Sequence, residues 1–117
     1  MSRGGVTAAL ADVVDGQTRG EARGIPSVCS AHPVVLRTAF EQAREEGSSV
    51  LVEATSNQVN PEGGYSGMTP AAFASFVGGL ADEASLPRDR VILGGDHLGP
   101  HPWRAQGATV AMARAAT

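Results

Sequence analysis

Three short apolar runs, separated by segments of helical periodicity, constrain this chain more than any other feature. The runs are IPSVCS at residues 25–30, VLVEA at 50–54 and VILGG at 91–95. Between the first two, Leu36, Ala39, Phe40 and Ala43 follow the i, i+3, i+4, i+7 spacing of one apolar helix face, with Pro33 suited to the first turn and Gly47 to the stop. Between the second and third, Thr69 is placed as a helix cap ahead of Pro70, and Phe73, Phe76, Val77, Leu80 and Ala84 share a face. Gly78 and Gly79 weaken that helix by about 1 kcal/mol each relative to alanine, so packing has to hold it. Alternation of strand and helix predicts a parallel sheet joined by right-handed crossovers. VLVEA is largely apolar on both faces, which predicts a strand covered on both sides, with Glu53 the exception. Two α/β architectures meet these constraints: a doubly wound open sheet, or part of a (β/α)8 barrel.

The ends are less constrained. Residues 6–14 read as a short helix stopping near Gly16, followed by a polar, glycine-bearing loop to residue 24. Residues 105–116 have helix-forming composition without a clean stop.

In both architectures ligands sit at the carboxyl ends of the strands, and the polar residues of this chain gather there. Ser30 and His32 follow the first run, Thr55, Ser56, Asn57 and Gln58 the second, Asp96 and His97 the third. The return connections at 47–49 and 85–90 read as plain turns. Asp96 and His97 either cap the next element and bond the loop, or act as a general acid or base beside a metal ligand or proton carrier. His97 and His101 are four apart, but Gly99, Pro100 and Pro102 forbid the helical turn that would put both on one face. His32 is either a satisfied loop histidine or a ligand, and Glu53 either pairs with a basic residue or points into the site. GGYSG at 63–67 could meet a phosphate through backbone N–H groups or be a flexible loop; it has neither a phosphate-loop lysine nor dinucleotide spacing. Trp103, beside Pro102, is expected to pack its loop down.

Charge and hydropathy exclude several partners. The formal charge is −3 and the nine basic residues are scattered, so no footprint for nucleic acid is expected. No apolar run approaches the roughly 20 residues of a membrane span. The amino terminus lacks an apolar signal core, which places the expected location in the cytoplasm. Cys29, the single cysteine, cannot form an internal disulfide and is expected to be a small buried hydrophobe.

Three long strings, SVCSAHPVVLRTAFEQA, LVEATSNQVNPEGGYSGMTPAAF and VILGGDHLGPHPW, carry a resemblance. Over about residues 20–104 the chain resembles the amino-terminal part of the D-tagatose-1,6-bisphosphate aldolase accessory, or non-catalytic, subunit family. Some members carry a tagatose-6-phosphate kinase label, although no phosphate loop for ATP is visible here. The resemblance implies a (β/α)8 TIM barrel related to the zinc-dependent class II aldolases, and a catalytic aldolase subunit as partner. In those aldolases a strand ends in an Asp-His pair, so the resemblance implies Asp96 as catalytic acid or base and His97 as a zinc ligand. Catalytic zinc takes about three protein ligands and one open position, so the remaining ligands are expected outside this chain. His32, Asn57 and Gln58 match the family strings and are implied as contacts to a sugar phosphate. RAQGATVAMARAAT, after Trp103, departs from the acidic stretch expected of relatives.

A barrel takes roughly 250 residues, whereas three strands are visible here. The expectation is therefore an incomplete amino-terminal part of a barrel, about three βα units over residues 1–117, or else a short protein that completes its sheet with another chain. The expected role is accessory subunit to a class II aldolase in tagatose 6-phosphate or galactitol breakdown. The alternatives are a zinc-dependent ketose-bisphosphate aldolase acting itself and, disfavoured, a sugar-phosphate kinase.

Overall fold

A computed structural model describes residues 3–116 of the chain. Local chemistry sets the helix starts. Helix α1 spans Arg3–Thr18 and strand β1 Ser27–Cys29. Helix α2, Pro33–Glu46, has His32 as its N-cap and ends on Gly47, whose φ of 68° is the left-handed conformation that closes a helix. Strand β2 is Val50–Thr55 and helix α3 is Pro70–Glu83, its cap formed by the Thr69 hydroxyl accepting from the Ala72 N–H at 3.3 Å. Strand β3, Val91–Asp96, follows a 3-10 turn at Arg88–Arg90; a second such turn at His101–Trp103 precedes helix α4, Ala108–Ala115. Helix α1 runs past Gly16 to Thr18, and Gly20, with φ 81°, lies just beyond its end.

The three strands form one parallel sheet in the order β1-β2-β3. A doubly wound sheet reverses direction at a switch point; the strands described here do not. Successive crossovers of the usual hand in one direction carry their helices to one face. The core lies there: Val50, Val52, Ala54 and Val91 pack with Leu36, Phe40 and Ala43 of α2 and Phe73, Val77, Leu80 and Ala81 of α3. Phe40, Leu36, Val52 and Val77 have no exposed surface, and each such burial contributes about 1.5–3 kcal/mol.

The other face differs from expectation. Along β2 buried residues alternate with half-buried ones, Leu51, Glu53 and Thr55 being the latter. The strand is covered on one side among the described residues, because α2 and α3 both lie against the same face. Strands β1 and β3 each leave one edge without a partner strand among those residues. No described helix is long and apolar enough to cross a membrane.

Candidate functional site

Parallel pairing decides which side chains meet at the carboxyl ends. Cys29 is level with Glu53, Glu53 with Gly94, and Thr55 with Asp96. Residues level across parallel strands share a face, so Cys29, Glu53, Thr55 and Asp96 all stand on the side away from the helices. Gly94 leaves room among them: a β-carbon there would lie 3.2 Å from Leu51 Cδ1 and 3.6 Å from Glu53 Cγ. Cys29 is exposed rather than buried, because among the described residues β1 is an edge strand with no helix over its outer face. Its thiol pKa is raised above the ordinary value, first by desolvation, then by the neighbouring Asp96 carboxylate and by the charge of Glu53.

Asp96 and His97 are joined. Asp96 Oδ1 lies 3.1 Å from His97 Nδ1, with the Asp96 side chain 39% exposed and the imidazole 83% exposed. His97 has φ 50°, a left-handed conformation uncommon outside glycine, and the chain turns there directly after β3. Ser56, itself buried, donates through Oγ to the His97 carbonyl at 3.0 Å and so ties the loop after β2 to the loop after β3. The carboxylate stands within ion-pair range of Nδ1 on a largely exposed imidazole, the side of the ring from which a second group orients a metal-ligating histidine. The donor set fits one such ligand with its orienting carboxylate. No group of three His, Cys, Asp or Glu residues placed to hold a metal ion occurs among the described residues.

The other residues implied by the resemblance fall into two clefts. His32 Nδ1 accepts from the Val34 N–H at 3.2 Å, so it caps α2 as a satisfied loop histidine. Gln58 Oε1 accepts from the Thr55 N–H at 2.9 Å and braces the turn after β2. Both line a cleft of about 560 Å³ with Met68 and Phe76. Asn57 lines a different, more polar cleft of about 510 Å³ with His101, Trp103 and Arg104. Tyr65, largely exposed, borders both. Asp96 and His97 border neither.

The glycine-rich loop spends most of its donors on the turn that precedes it. The N–H groups of Tyr65 and Ser66 bond the carbonyls of Asn57 and Gln58, that of Gly63 the Asn60 carbonyl, and that of Gly67 the Gly64 carbonyl. Gly64 has φ 56°, and a β-carbon there would sit 2.4 Å from the Gln58 carbonyl oxygen, so only glycine fits. Three residues that pattern reading missed organise this region. Buried Asn60 donates to the Ser56 carbonyl and accepts from the Glu62 N–H. Glu62 accepts from the Trp103 indole N–H at 2.9 Å and from Arg114 of α4. Asn-Pro at 60–61 is a turn signal, but nothing local in the sequence points from residue 62 to residues 103 and 114. Trp103 is buried, as its place beside Pro102 led one to expect.

Comparison with known proteins adds identity to geometry. The profile of a family described as D-tagatose-1,6-bisphosphate aldolase subunit GatZ/KbaZ-like matches residues 10–117. That match runs through the last fourteen residues, 104–117. A D-tagatose 6-phosphate 4-epimerase of Agrobacterium fabrum is 51% identical over 111 residues, covering 95% of this chain and 26% of the relative. The D-tagatose-1,6-bisphosphate aldolase subunit GatZ of Escherichia coli O1:K1 is 56% identical over 93 residues, 80% of this chain and 22% of the relative. A crystal structure of a probable tagatose 6 phosphate kinase from Sinorhizobium meliloti 1021 superposes with a TM-score of 0.75 at 57% identity, covering 80% of this chain and 24% of that one. The chain spans about a quarter of the length of the curated relatives it matches.

Proposed function

Because the chain belongs to the D-tagatose-1,6-bisphosphate aldolase subunit GatZ/KbaZ-like family, we propose that it serves as an accessory subunit to a class II aldolase that splits a ketose bisphosphate into two triose phosphates. The observation that carries this reading is the Asp96–His97 pair at the carboxyl end of a parallel strand, inside a family whose relatives are named as aldolase subunits. The architecture we infer is the amino-terminal part of a (β/α)8 barrel, about three βα units. Consecutive strand order, α2 and α3 on one face and the likeness to a longer protein support it.

Were the chain to contribute to a catalytic centre itself, His97 would be its zinc ligand, with Asp96 beside Nδ1 and the other ligands from outside these residues. Zinc, when bound, polarises the substrate carbonyl. Asp96, half-exposed and on the same face as Glu53, is placed to accept or return a proton as acid or base. His32, Asn57 and Gln58 line the clefts beside this rim, where a sugar phosphate would lie. A kinase activity is disfavoured, since the N–H groups of Gly63, Tyr65, Ser66 and Gly67 bond backbone carbonyls and are not free for nucleotide phosphates.

A second reading rests on the relative named as a D-tagatose 6-phosphate 4-epimerase, matched along 95% of this chain. One experiment separates the two. The chain is co-produced with a catalytic class II aldolase subunit, and the partner's half-life, metal content and conversion of D-tagatose 6-phosphate are measured. A longer-lived partner supports the accessory role; C4 epimer formed without any partner supports the epimerase; an unchanged partner removes the accessory reading.

A further inference from the structure

The polar cleft between the loops after β2 and β3 has an unspent positive charge. Among the described residues neither Arg90 nor Arg104 has a carboxylate in ion-pair range, whereas Arg19, Arg23, Arg37, Arg44, Arg88 and Arg114 pair with Asp12, Glu21, Glu41, Glu45, Glu62, Glu83 or Asp82. Arg90 belongs to the turn before β3, at the opposite end of the strand. Arg104 lines the cleft of about 510 Å³, a size within the range of roughly 300–1,000 Å³ usual for small-molecule sites. Its NH1 donates to the His101 carbonyl at 3.3 Å, which steadies the guanidinium while leaving its other N–H groups free for a ligand. Glu62, the carboxylate in this cleft, does not cancel that charge: its two oxygens are taken by the Trp103 indole N–H and by Arg114. The cleft therefore carries a guanidinium, the imidazole of His101, the Asn57 amide and the Tyr65 hydroxyl around a volume whose one acidic group is already neutralised.

We propose that this cleft binds the phosphate group of a phosphorylated sugar, with Arg104 as its anchor and His101 as a second donor. Planar guanidinium geometry matches phosphate oxygens two at a time, which a lysine would not reproduce. Asn57 and Tyr65 then face the sugar hydroxyls. The assignment deepens the proposed function, since it takes the carboxyl-end loops as the substrate-facing rim, but it does not depend on the partner subunit.

The test is calorimetric titration of the full chain, alone and with the aldolase subunit, using D-tagatose 6-phosphate, inorganic phosphate and unphosphorylated D-tagatose. The two phosphates bind and the free sugar does not. Arg104→Ala weakens D-tagatose 6-phosphate binding by about ten- to a hundredfold, the worth of one charged hydrogen-bonded anchor; Arg104→Lys weakens it less, and Arg90→Ala leaves it unchanged. Equal affinity in wild type and Arg104→Ala, an equal loss in Arg90→Ala, or no phosphate binding in either setting overturns the proposal. Phosphate binding that survives while the partner is neither stabilised nor accelerated sinks the accessory role and leaves this site standing.

Discussion

Ser56 Oγ donates a hydrogen bond of 3.0 Å to the carbonyl of His97, joining the ends of two neighbouring strands at the residue that turns the chain into its left-handed conformation. The buried hydroxyl holds in place the backbone that carries the imidazole. Ser56→Ala removes the donor and is expected to cost about 1–2 kcal/mol. Urea unfolding measures it; an unchanged midpoint would show that the bond contributes nothing.

Glu62 holds α4 and Trp103 at once, through Arg114 and the indole N–H. Glu62→Ala leaves that buried N–H unpaired, at a cost of about 1–3 kcal/mol. The chain has one tryptophan, so its emission reports the change directly. A red shift in the variant is expected, and unaltered emission with unaltered stability would contradict the contact.

Two glycines of one loop separate backbone strain from steric clash. Gly67 has φ 78° and nothing within 4 Å of a would-be β-carbon, so Gly67→Ala is expected to cost about 1–2 kcal/mol of left-handed strain. Gly64→Ala adds a clash at 2.4 Å with the Gln58 carbonyl oxygen and is expected to cost more than about 3 kcal/mol. Equal losses in denaturant unfolding would mean that the loop yields at Gly64.

The raised thiol pKa of Cys29 predicts slow alkylation at neutral pH. Desolvation and then the charges of Asp96 and Glu53 disfavour the thiolate, so its fraction at pH 7.5 is smaller than that of a free cysteine, whose pKa is about 8.5. Asp96→Asn removes one of those charges, shifts the iodoacetamide rate profile to lower pH and speeds reaction at pH 7.5. An unshifted profile would mean that the two side chains are not neighbours.

Much of this was legible from pattern because the signals are local. Leu36, Phe40 and Ala43 declared one helix, Thr69 and Pro70 the start of another, and alternation of elements the parallel sheet. Coverage was not legible: the apolar look of VLVEA says nothing about which face a helix will occupy, and Cys29 was misjudged for the same reason. At the site, the adjacency of Asp96 and His97 is written in their numbering. The bond from Ser56 to His97, the latch from Glu62 to Trp103 and Arg114, and the division of His32 and Gln58 from Asn57 all depend on loops meeting across 41 or more residues, or on which of two clefts a loop side chain borders.

The most direct measurement is the initial rate of triose phosphate release from D-tagatose 1,6-bisphosphate as the chain is titrated into a fixed amount of catalytic aldolase subunit. An accessory role predicts no cleavage by the chain alone and a rate that rises with its concentration to a saturating plateau. Cleavage by the chain without a partner, or a partner rate that stays flat across the titration, would contradict it.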